Sequence, residues 1–162
     1  MTHIVYIALG SNLDDRLANL KAAIQGLAPS VLVMQRSAIY ETEPWGFTDQ
    51  PSFLNMVVSA RTDLAPLDLL KHVKNLEQVL GRRPTFRNGP RLIDLDILFY
   101  DDLILQLPDL VIPHPRLHER AFVLVPLMDI APDLVHPALQ VGTARLVAGL
   151  DCSGVKLVQK EL

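Results

Sequence analysis

Residues 87–100 have the sequence RNGPRLIDLDILFY, in which a Gly-Pro turn precedes a run of alternating apolar and acidic residues. Gly89-Pro90 cannot continue a helix, so the chain turns there. Beyond the turn, apolar residues alternate with other residue types, which is the period-two pattern of a β-strand. The apolar residues of this pattern are Ile93, Leu95, Ile97 and Phe99. We therefore expect their side chains on one face of a buried strand.

Two carboxylates, Asp94 and Asp96, fall together on the opposite face of this strand. At a rise of about 3.3 Å per residue they lie roughly 6–7 Å apart. Neighbouring carboxylates repel each other and are depleted from strands, so a positive partner should compensate them. Mg²⁺ takes oxygen ligands of this kind, usually one or two carboxylates together with substrate phosphates. Two ions about 3.5–4 Å apart would fit between such a pair.

Four arginines lie just before the strand, on a segment rich in Gly and Pro. They are Arg82, Arg83, Arg87 and Arg91. The guanidinium fork matches phosphate oxygens in a bidentate way. The acidic pair and the basic segment together indicate a site for a metal–polyphosphate. The alternative is a strand whose polar face points at water, with arginines that form weak surface ion pairs.

Composition limits the remaining possibilities. A chain of 162 residues with 49% hydrophobic residues and a mean hydropathy of +0.24 predicts one globular domain over residues 1–162. The net charge of −3 gives no global positive field for nucleic acid. Cys152 is the single cysteine, which excludes an internal disulfide and fits a reducing compartment. No apolar run is long enough for a membrane span. We expect a soluble, monomeric, cytoplasmic protein with no nucleic-acid or membrane partner.

Periodicity predicts the order β-α-β-β-α-β. The predicted strands cover 4–9, 31–40, 53–62 and 93–100, and the predicted helices cover 13–27 and 66–80. Ser11 or Asn12 is the expected N-cap of the first helix, and Gly81 ends the second. This order predicts an α+β fold, a ferredoxin-like βαββαβ sandwich with a C-terminal helical extension. Both helices should cover one face of an antiparallel sheet, leaving the other face to segments 43–51 and 82–91 and to the acidic pair.

Polar residues outside the central strand leave more than one interpretation open. Segment 41–52 carries two prolines and a glycine and is either a binding loop or a hairpin tip. Asn55, inside the third strand, serves either the fold or the recognition of a heterocycle edge. Glu77 falls on the polar face of its helix by spacing alone. His114 and His118 suggest zinc, but no third nitrogen or sulfur ligand is close in sequence, so His114 is better interpreted as a phosphate donor.

The central stretch resembles the signature of the 6-hydroxymethyl-7,8-dihydropterin pyrophosphokinases, enzymes of folate biosynthesis. The similarity extends from residue 4 to about residue 133. Further segments that carry it are Tyr6–Leu13, Tyr40–Thr42 with Pro44, Gln50-Pro51, Phe53–Asn55, Glu77, Gly81-Arg82, Pro113-His114, Arg120, Phe122–Leu124 and Pro126-Leu127. The resemblance implies an enzyme that transfers an intact pyrophosphoryl group from ATP to the hydroxymethyl group of a reduced pterin, leaving AMP.

The resemblance also assigns roles to individual residues. It implies that Asp94 and Asp96 hold two Mg²⁺ ions, with Asp96 as a candidate base. The implied catalytic residues are Arg82, Arg91 and Asp96. The implied pterin-binding residues are Thr42, Pro44, Trp45, Phe53, Asn55 and Phe122. The implied ATP-binding residues are Glu77, Arg82, Arg87, Arg91, His114 and Arg120.

Some positions depart from the pattern of the family. Asn88 stands where some members have an aromatic residue, and Pro84 and Thr85 stand where others are more basic. Val111-Ile112 and Pro115 flank His114 in places where members offer hydroxyl groups. Two other functions remain as alternatives. A nucleotidyltransferase would use the same acidic pair but release pyrophosphate, and a split-βαβ regulatory module would bind a small ligand without catalysis.

Overall fold

The computed structural model describes residues 1–43, 49–83, 85–86 and 89–162. Its strands are β1 (His3–Ser11), β2 (Val31–Arg36), β3 (Ile39–Thr42), β4 (Phe53–Thr62), β5 (Asp94–Tyr100), β6 (Leu105–Gln106), β7 (Val111–Ile112), β8 (Val135–His136), β9 (Val141–Gly142) and β10 (Lys156–Gln159). Its helices are α1 (Arg16–Leu27), α2 (Pro66–Val79), α3 (Ala121–Ile130) and α4 (Thr143–Ala148), with a 3₁₀ turn at Leu117–Glu119. In this part of the chain, no helix combines the length and apolar character that crossing a membrane requires.

The main sheet is antiparallel and has β1 at its centre. The strand order is β10-β3-β4-β1-β5, and β2 also pairs with β4. Helices α1 and α2 connect the strands in the predicted β-α-β-β-α-β order. The predicted ferredoxin-like α+β fold is therefore confirmed. The C-terminal extension contains α4 and ends in β10, which adds an edge strand beside β3.

The single strand predicted over residues 31–40 is wrong, because the structure divides it into β2 and β3. Both strands pair with β4, but at different ends of it. Ser37 lies between them, is buried, and donates its backbone N–H to the carbonyl of Val57 at 2.9 Å while its hydroxyl accepts the Val57 N–H at 2.9 Å. This local side-chain hydrogen bonding replaces the regular ladder at that point.

Helices cover both faces of the sheet, so the prediction of a one-sided sandwich is wrong in this respect. The first core lies between the sheet and the α1–α2 layer and includes Val5, Ile7, Leu20, Leu27, Met56, Leu69, Val73 and Leu95. A second core lies under α3 and includes Val57, Leu98, Phe99, Leu117, Val123, Leu124 and Leu127. Residues 121–130 are almost entirely apolar, and such a helix is stable only when it is buried. Asp129 joins α3 to the sheet by accepting hydrogen bonds from the Tyr40 hydroxyl and the Ala38 N–H.

Strand β5 contains an irregularity that moves Phe99 away from its predicted face. Tyr6 pairs with Phe99, whereas the next residue, Ile7, pairs with Ile97, so Leu98 is an extra residue in β5. An extra residue reverses the alternation that follows it. Ile97 therefore joins the first core, as predicted, while Phe99 joins the second.

The helix termini agree with the sequence at α2 but not at α1. Helix α2 begins with Pro66 and is followed by Gly81 at φ +102°, a conformation that favours glycine. Helix α1 begins at Arg16, and its N-cap is Asp15, whose side chain accepts the N–H of Ala18. The prediction of Ser11 or Asn12 as N-cap is wrong, because Asn12 uses its side chain to bind other loops.

Candidate active site

The floor of the site is the end of β1, where two small residues leave space above the sheet. Gly10 lies opposite Asn55 on one side and Asp94 on the other, and Ala8 lies opposite Asp96. Side chains alternate along strands, and Leu9 points into the first core, so these residues face the α3 side. Three polar side chains from the two flanking strands thus surround a shallow floor that Ala8 and Gly10 do not fill.

A cleft lies on this floor and collects most of the predicted site residues. The predicted residues that line it are Thr42, Phe53, Asn55, Arg91, Asp94, Asp96, Arg120 and Phe122. Sequence reasoning missed further lining residues, namely Ala8, Leu9, Gly10, Glu43, Met56 and Val123. Of these, Gly10 could have been predicted from the sequence, because a glycine at the end of an apolar strand often marks a position where another group approaches the backbone closely. Pro44, Trp45 and Arg87 lie outside the described residues.

One end of the cleft is a buried amide–hydroxyl pair. Asn55 donates from Nδ2 to Oγ1 of Thr42 at 2.6 Å, and both side chains are buried. This bond fixes the orientation of the amide and leaves Oδ1 directed towards Gly10. A Cβ on Gly10 would lie 2.9 Å from that oxygen. The pair therefore presents a fixed set of polar atoms beside the ring of Phe53, which suits the edge of a planar heterocycle.

The other end of the cleft is the acidic pair with its arginines. Nη1 of Arg82 lies 3.3 Å from Oδ1 of Asp94, and Nη1 of Arg91 lies 3.8 Å from Oδ2 of the same carboxylate. Asp96 differs from its neighbour. Burial, followed by the repulsion of Asp94, raises the pKa of Asp96 to about 7. Among the described residues the arginine ion pairs lie at Asp94, while the charges of Lys74 and Arg120 only partly offset the effects that raise the pKa of Asp96.

Glu77 contributes to this end from below the sheet. Its carboxylate is buried, so the expectation that it occupies a polar helix face is wrong. Oε2 accepts the backbone N–H of Leu95 at 2.7 Å, between the two aspartates, and Oε1 accepts Nη1 of Arg82 at 2.7 Å. Lys74 also lies 3.3 Å from Oε1. Glu77 therefore fixes Arg82 in contact with Asp94.

The donor set of the acidic pair fits a hard divalent cation. Within the described ranges, no three His, Cys, Asp or Glu side chains converge, so this part of the protein offers no complete metal cage. Mg²⁺ does not need one, because it commonly uses one or two carboxylates with water and phosphate oxygens. A cation at Asp94 and Asp96 would also relieve the repulsion that raises the Asp96 pKa. These two side chains are the ones that could hold a metal.

His114 and Arg120 approach the acidic end from the α3 side. The backbone N–H of Arg116 donates to Nδ1 of His114 at 3.2 Å, which assigns the ring proton to Nε2. Burial, with the charge of Arg120, lowers the pKa of His114 to about 4, so its imidazole is neutral at pH 7. Arg120 lies over the Phe122 ring at 5.6 Å from its centroid. Nε of Arg120 and Nε of Arg91 are buried without a hydrogen-bond acceptor among the described residues.

The chain resembles a known protein family along most of its length. Residues 6–132 match the model of the family described as 7,8-dihydro-6-hydroxymethylpterin-pyrophosphokinase. A 2-amino-4-hydroxy-6-hydroxymethyldihydropteridine pyrophosphokinase of Methylorubrum extorquens is 47% identical over 156 residues, covering 95% of this chain and 98% of the relative. The enzyme of that name from Aquifex aeolicus is 42% identical over 133 residues, covering 82% of this chain and 83% of the relative.

Longer proteins contain a similar region. The folic acid synthesis protein FOL1 of Dictyostelium discoideum is 45% identical over 152 residues, which are 94% of this chain but 23% of that protein. A solved HPPK-DHPS structure of Plasmodium falciparum with pteroate has a TM-score of 0.77 at 17% identity, covering 91% of this chain and 44% of that one. The chain thus spans less than half of these larger relatives, and the solved structure supports the fold. The family match and the identities across nearly full-length relatives establish that the chain belongs to the 7,8-dihydro-6-hydroxymethylpterin-pyrophosphokinase family.

Proposed function

We propose that this chain transfers a pyrophosphoryl group from ATP to the hydroxymethyl group of 6-hydroxymethyl-7,8-dihydropterin, giving AMP and the pterin diphosphate in folate biosynthesis. One observation carries the proposal. Asn55, Gly10 and Asp94 lie side by side on neighbouring strands, which brings a heterocycle-binding amide and a phosphate-binding acid pair into one cleft. Adjacent strands are about 4.8 Å apart, so the two ends are about 10 Å from each other, which suits a pterin and its attached alcohol.

The pterin occupies the Asn55 end of the cleft. Its polar edge meets the amide of Asn55 and the hydroxyl of Thr42, whose mutual hydrogen bond supports a single orientation. Phe53 and Phe122 supply aromatic surface for the ring. Pro44 and Trp45 complete this group of proposed pterin-binding residues. An amide that is held in place and buried discriminates strongly against ligands that leave it unpaired.

The pyrophosphate is transferred at the acidic end. Asp94 and Asp96 would hold two Mg²⁺ ions, whose positive charge would neutralise the ATP phosphates. Arg82 and Arg91, which lie against Asp94, would act together with Arg87. Their guanidinium groups would neutralise the charge that develops on the transferred pyrophosphoryl group. Transfer of this type depends mostly on positioning and charge stabilisation. Asp96 is our candidate base, because its carboxylate lines the cleft beside the proposed metal site, where the hydroxymethyl group would lose its proton.

The nucleotide lies on the α3 side of the acidic pair. His114 is neutral and carries its proton on Nε2, so it donates a hydrogen bond to a phosphate oxygen without adding charge. Arg120, whose buried Nε has no acceptor among the described residues, supplies a further donor. Glu77 is a proposed ATP-binding residue that acts through Arg82. Its carboxylate oxygens accept hydrogen bonds from Arg82 and from the backbone of β5.

The assay that tests this function supplies ATP, MgCl₂ and 6-hydroxymethyl-7,8-dihydropterin, and follows the products by ion-exchange chromatography. The proposal expects AMP and a pterin diphosphate in equal amounts, with no AMP when the pterin or the metal is omitted. Release of pyrophosphate would support a nucleotidyltransferase instead. Pterin binding that needs neither metal nor nucleotide, without turnover, would support a regulatory module.

We also propose that the chain works as one domain over residues 1–162, as a monomer, in the cytoplasm. The continuous main sheet, in which the C-terminal β10 pairs with β3, supports a single domain. The single cysteine, Cys152, is free, which fits a reducing compartment. Light scattering coupled to size-exclusion chromatography tests the monomer, since a dimer would elute with twice the mass of 18.0 kDa.

A further inference from the structure

Asn12 makes four hydrogen bonds to two segments that border opposite sides of the cleft. Its backbone N–H donates to the carbonyl of Arg91 at 3.0 Å, and its Oδ1 accepts the N–H of Arg91 at 2.7 Å. Its Nδ2 donates to Oε1 of Gln50 at 2.8 Å and to the carbonyl of Pro51 at 3.0 Å. Asn12 is 1% exposed, so water cannot reach its polar atoms and these hydrogen bonds are what satisfies them.

The two segments serve different substrates in the proposed function. Arg91 lies on the phosphate side, where it contacts Asp94. Gln50 and Pro51 lead directly into Phe53 and Asn55 on the pterin side. The side chain of Asn12 thus joins the backbone before β5 to the backbone before β4, across the end of β1.

A neighbouring residue holds only one of these segments. Arg16, the first residue of α1, binds Oε2 of Glu41 at 2.7 Å and the carbonyl of Ser52 at 2.9 Å with the same Nη1. It therefore joins Glu41 to Ser52, and among the contacts of the described residues it makes none to Arg91. Of these two residues, Asn12 is therefore the one whose hydrogen bonds reach both sides of the cleft.

We propose that Asn12 is a positioning residue that sets the placement of the pterin-side backbone relative to Arg91. The inference rests on the proposed function for the identity of the two substrates. Its amide is suited to this task because it offers one acceptor and two donors at fixed angles. A carboxylate or a hydroxyl cannot satisfy both segments at once.

Asn12→Asp tests the link selectively. The aspartate keeps an oxygen for the N–H of Arg91, but its second oxygen cannot donate to Oε1 of Gln50 or to the carbonyl of Pro51. The loss of these two hydrogen bonds corresponds to roughly a tenfold change in affinity. We expect the Kd of the pterin, measured calorimetrically with Mg²⁺ and a non-hydrolysable ATP analogue, to rise about tenfold. The Kd of the nucleotide analogue should change less than about twofold, whereas Asn12→Ala should raise both values.

Asn19→Asp is the matched control. Its Nδ2 also makes two hydrogen bonds near the end of β1, to Oγ of Ser11 at 3.1 Å and to the carbonyl of Leu13 at 2.9 Å, but it touches neither Arg91 nor residues 50–51. This variant should leave both affinities unchanged. The proposal is overturned if Asn12→Asp leaves pterin affinity unchanged, or if Asn19→Asp lowers it equally.

Hydrogen exchange of the ligand-free protein separates this proposal from the proposed function. Asn12→Asp should accelerate exchange at residues 52–54 while leaving Arg91 protected, and Asn12→Ala should accelerate both. If this pattern appears but the wild-type protein binds no pterin, the link stands and the proposed function fails. If exchange is the same in wild type and both variants, the link itself is refuted.

Discussion

Gly10 lies directly opposite Asn55 in the pairing of β1 with β4, and a Cβ on Gly10 would lie 2.9 Å from Oδ1 of Asn55. The absence of a side chain at this position is what allows the amide to sit on the sheet surface and bind Thr42 at 2.6 Å. The contact therefore connects the backbone of the central strand to the proposed recognition of the pterin.

Gly10→Ala should weaken pterin binding. The added methyl group must displace the Asn55 amide and lengthen its bond to Thr42. Since a displaced hydrogen bond costs about 0.5–1.5 kcal/mol, we expect KM for the pterin to rise about three- to tenfold, with KM for ATP unchanged. Gly154→Ala is the control, because a Cβ there meets no atom within 4 Å. Steady-state kinetics with each substrate varied in turn make the measurement, and equal effects on both KM values would contradict the assignment.

Asp96→Ala should abolish turnover while the protein still unfolds cooperatively. The substitution removes one of the two proposed metal ligands, and a lost metal site costs several kcal/mol of transition-state stabilisation. We expect kcat to fall by at least about 100-fold and calorimetric Mg²⁺ binding to disappear. Asp102→Ala removes an exposed carboxylate just beyond β5 and should leave activity intact. Near-native activity of Asp96→Ala would exclude the metal assignment.

Arg82→Ala should lower kcat more than it changes KM. Arg82 lies 2.7 Å from Glu77 and 3.3 Å from Asp94, so it is held beside the carboxylate at which we propose the transfer. Removing one such donor typically costs about 100-fold in kcat. Arg61→Ala removes an exposed arginine from β4 and provides the control. An effect confined to KM would show instead that Arg82 binds ground state and transition state equally.

The acidic pair predicts a specific pH dependence of stability in the metal-free protein. The pKa of Asp96 is raised from 3.8 to about 7, so the folded state binds more protons than the unfolded state between these values. Its contribution to the free energy of unfolding must therefore decrease as pH rises from about 4 to about 7. The pKa of His114 is lowered from 6.5 to about 4, so its contribution to the free energy of unfolding increases with pH over this range. Measurements on the wild type alone would therefore mask the contribution of Asp96.

The comparison of wild type with Asp96→Asn isolates this effect, because both proteins contain His114. Urea unfolding across this pH range should show the wild type losing stability relative to the variant as pH rises. Saturating Mg²⁺ should abolish this pH-dependent difference in the free energy of unfolding between wild type and Asp96→Asn, because the metal favours the ionised carboxylate of Asp96. A relative stability that is independent of pH would contradict the raised pKa.

Local patterns were enough to predict the strand that carries the acidic pair. The alternation of Ile93, Leu95 and Ile97 depends on the strand alone, and it places Asp94 and Asp96 on the opposite face without any knowledge of the rest of the fold. The sequence also predicted both crossover helices and hence the β-α-β-β-α-β order of the elements along the chain. The irregularity at Leu98 depends on pairing with β1, which periodicity within β5 cannot reveal.

Roles that depend on distant partners were not predicted. Glu77 lies on a helix where its spacing predicts exposure, but its partner is the backbone of Leu95 on another element. Asn12 was assigned to a helix cap, whereas it binds Arg91, far along the chain. The division of β2 from β3 similarly follows from the contact of Ser37 with Val57. In each case a polar side chain satisfies a backbone group that only the assembled fold brings close.

We propose that the acidic pair and its arginines transfer two linked phosphates as one group. A single turnover with Mg²⁺, 6-hydroxymethyl-7,8-dihydropterin and ATP labelled with ³²P at the β-phosphate distinguishes this transfer from its alternatives. We expect the label in the pterin diphosphate, and AMP should be unlabelled. Label in ADP or in free pyrophosphate, with none on the pterin, would exclude such a transfer.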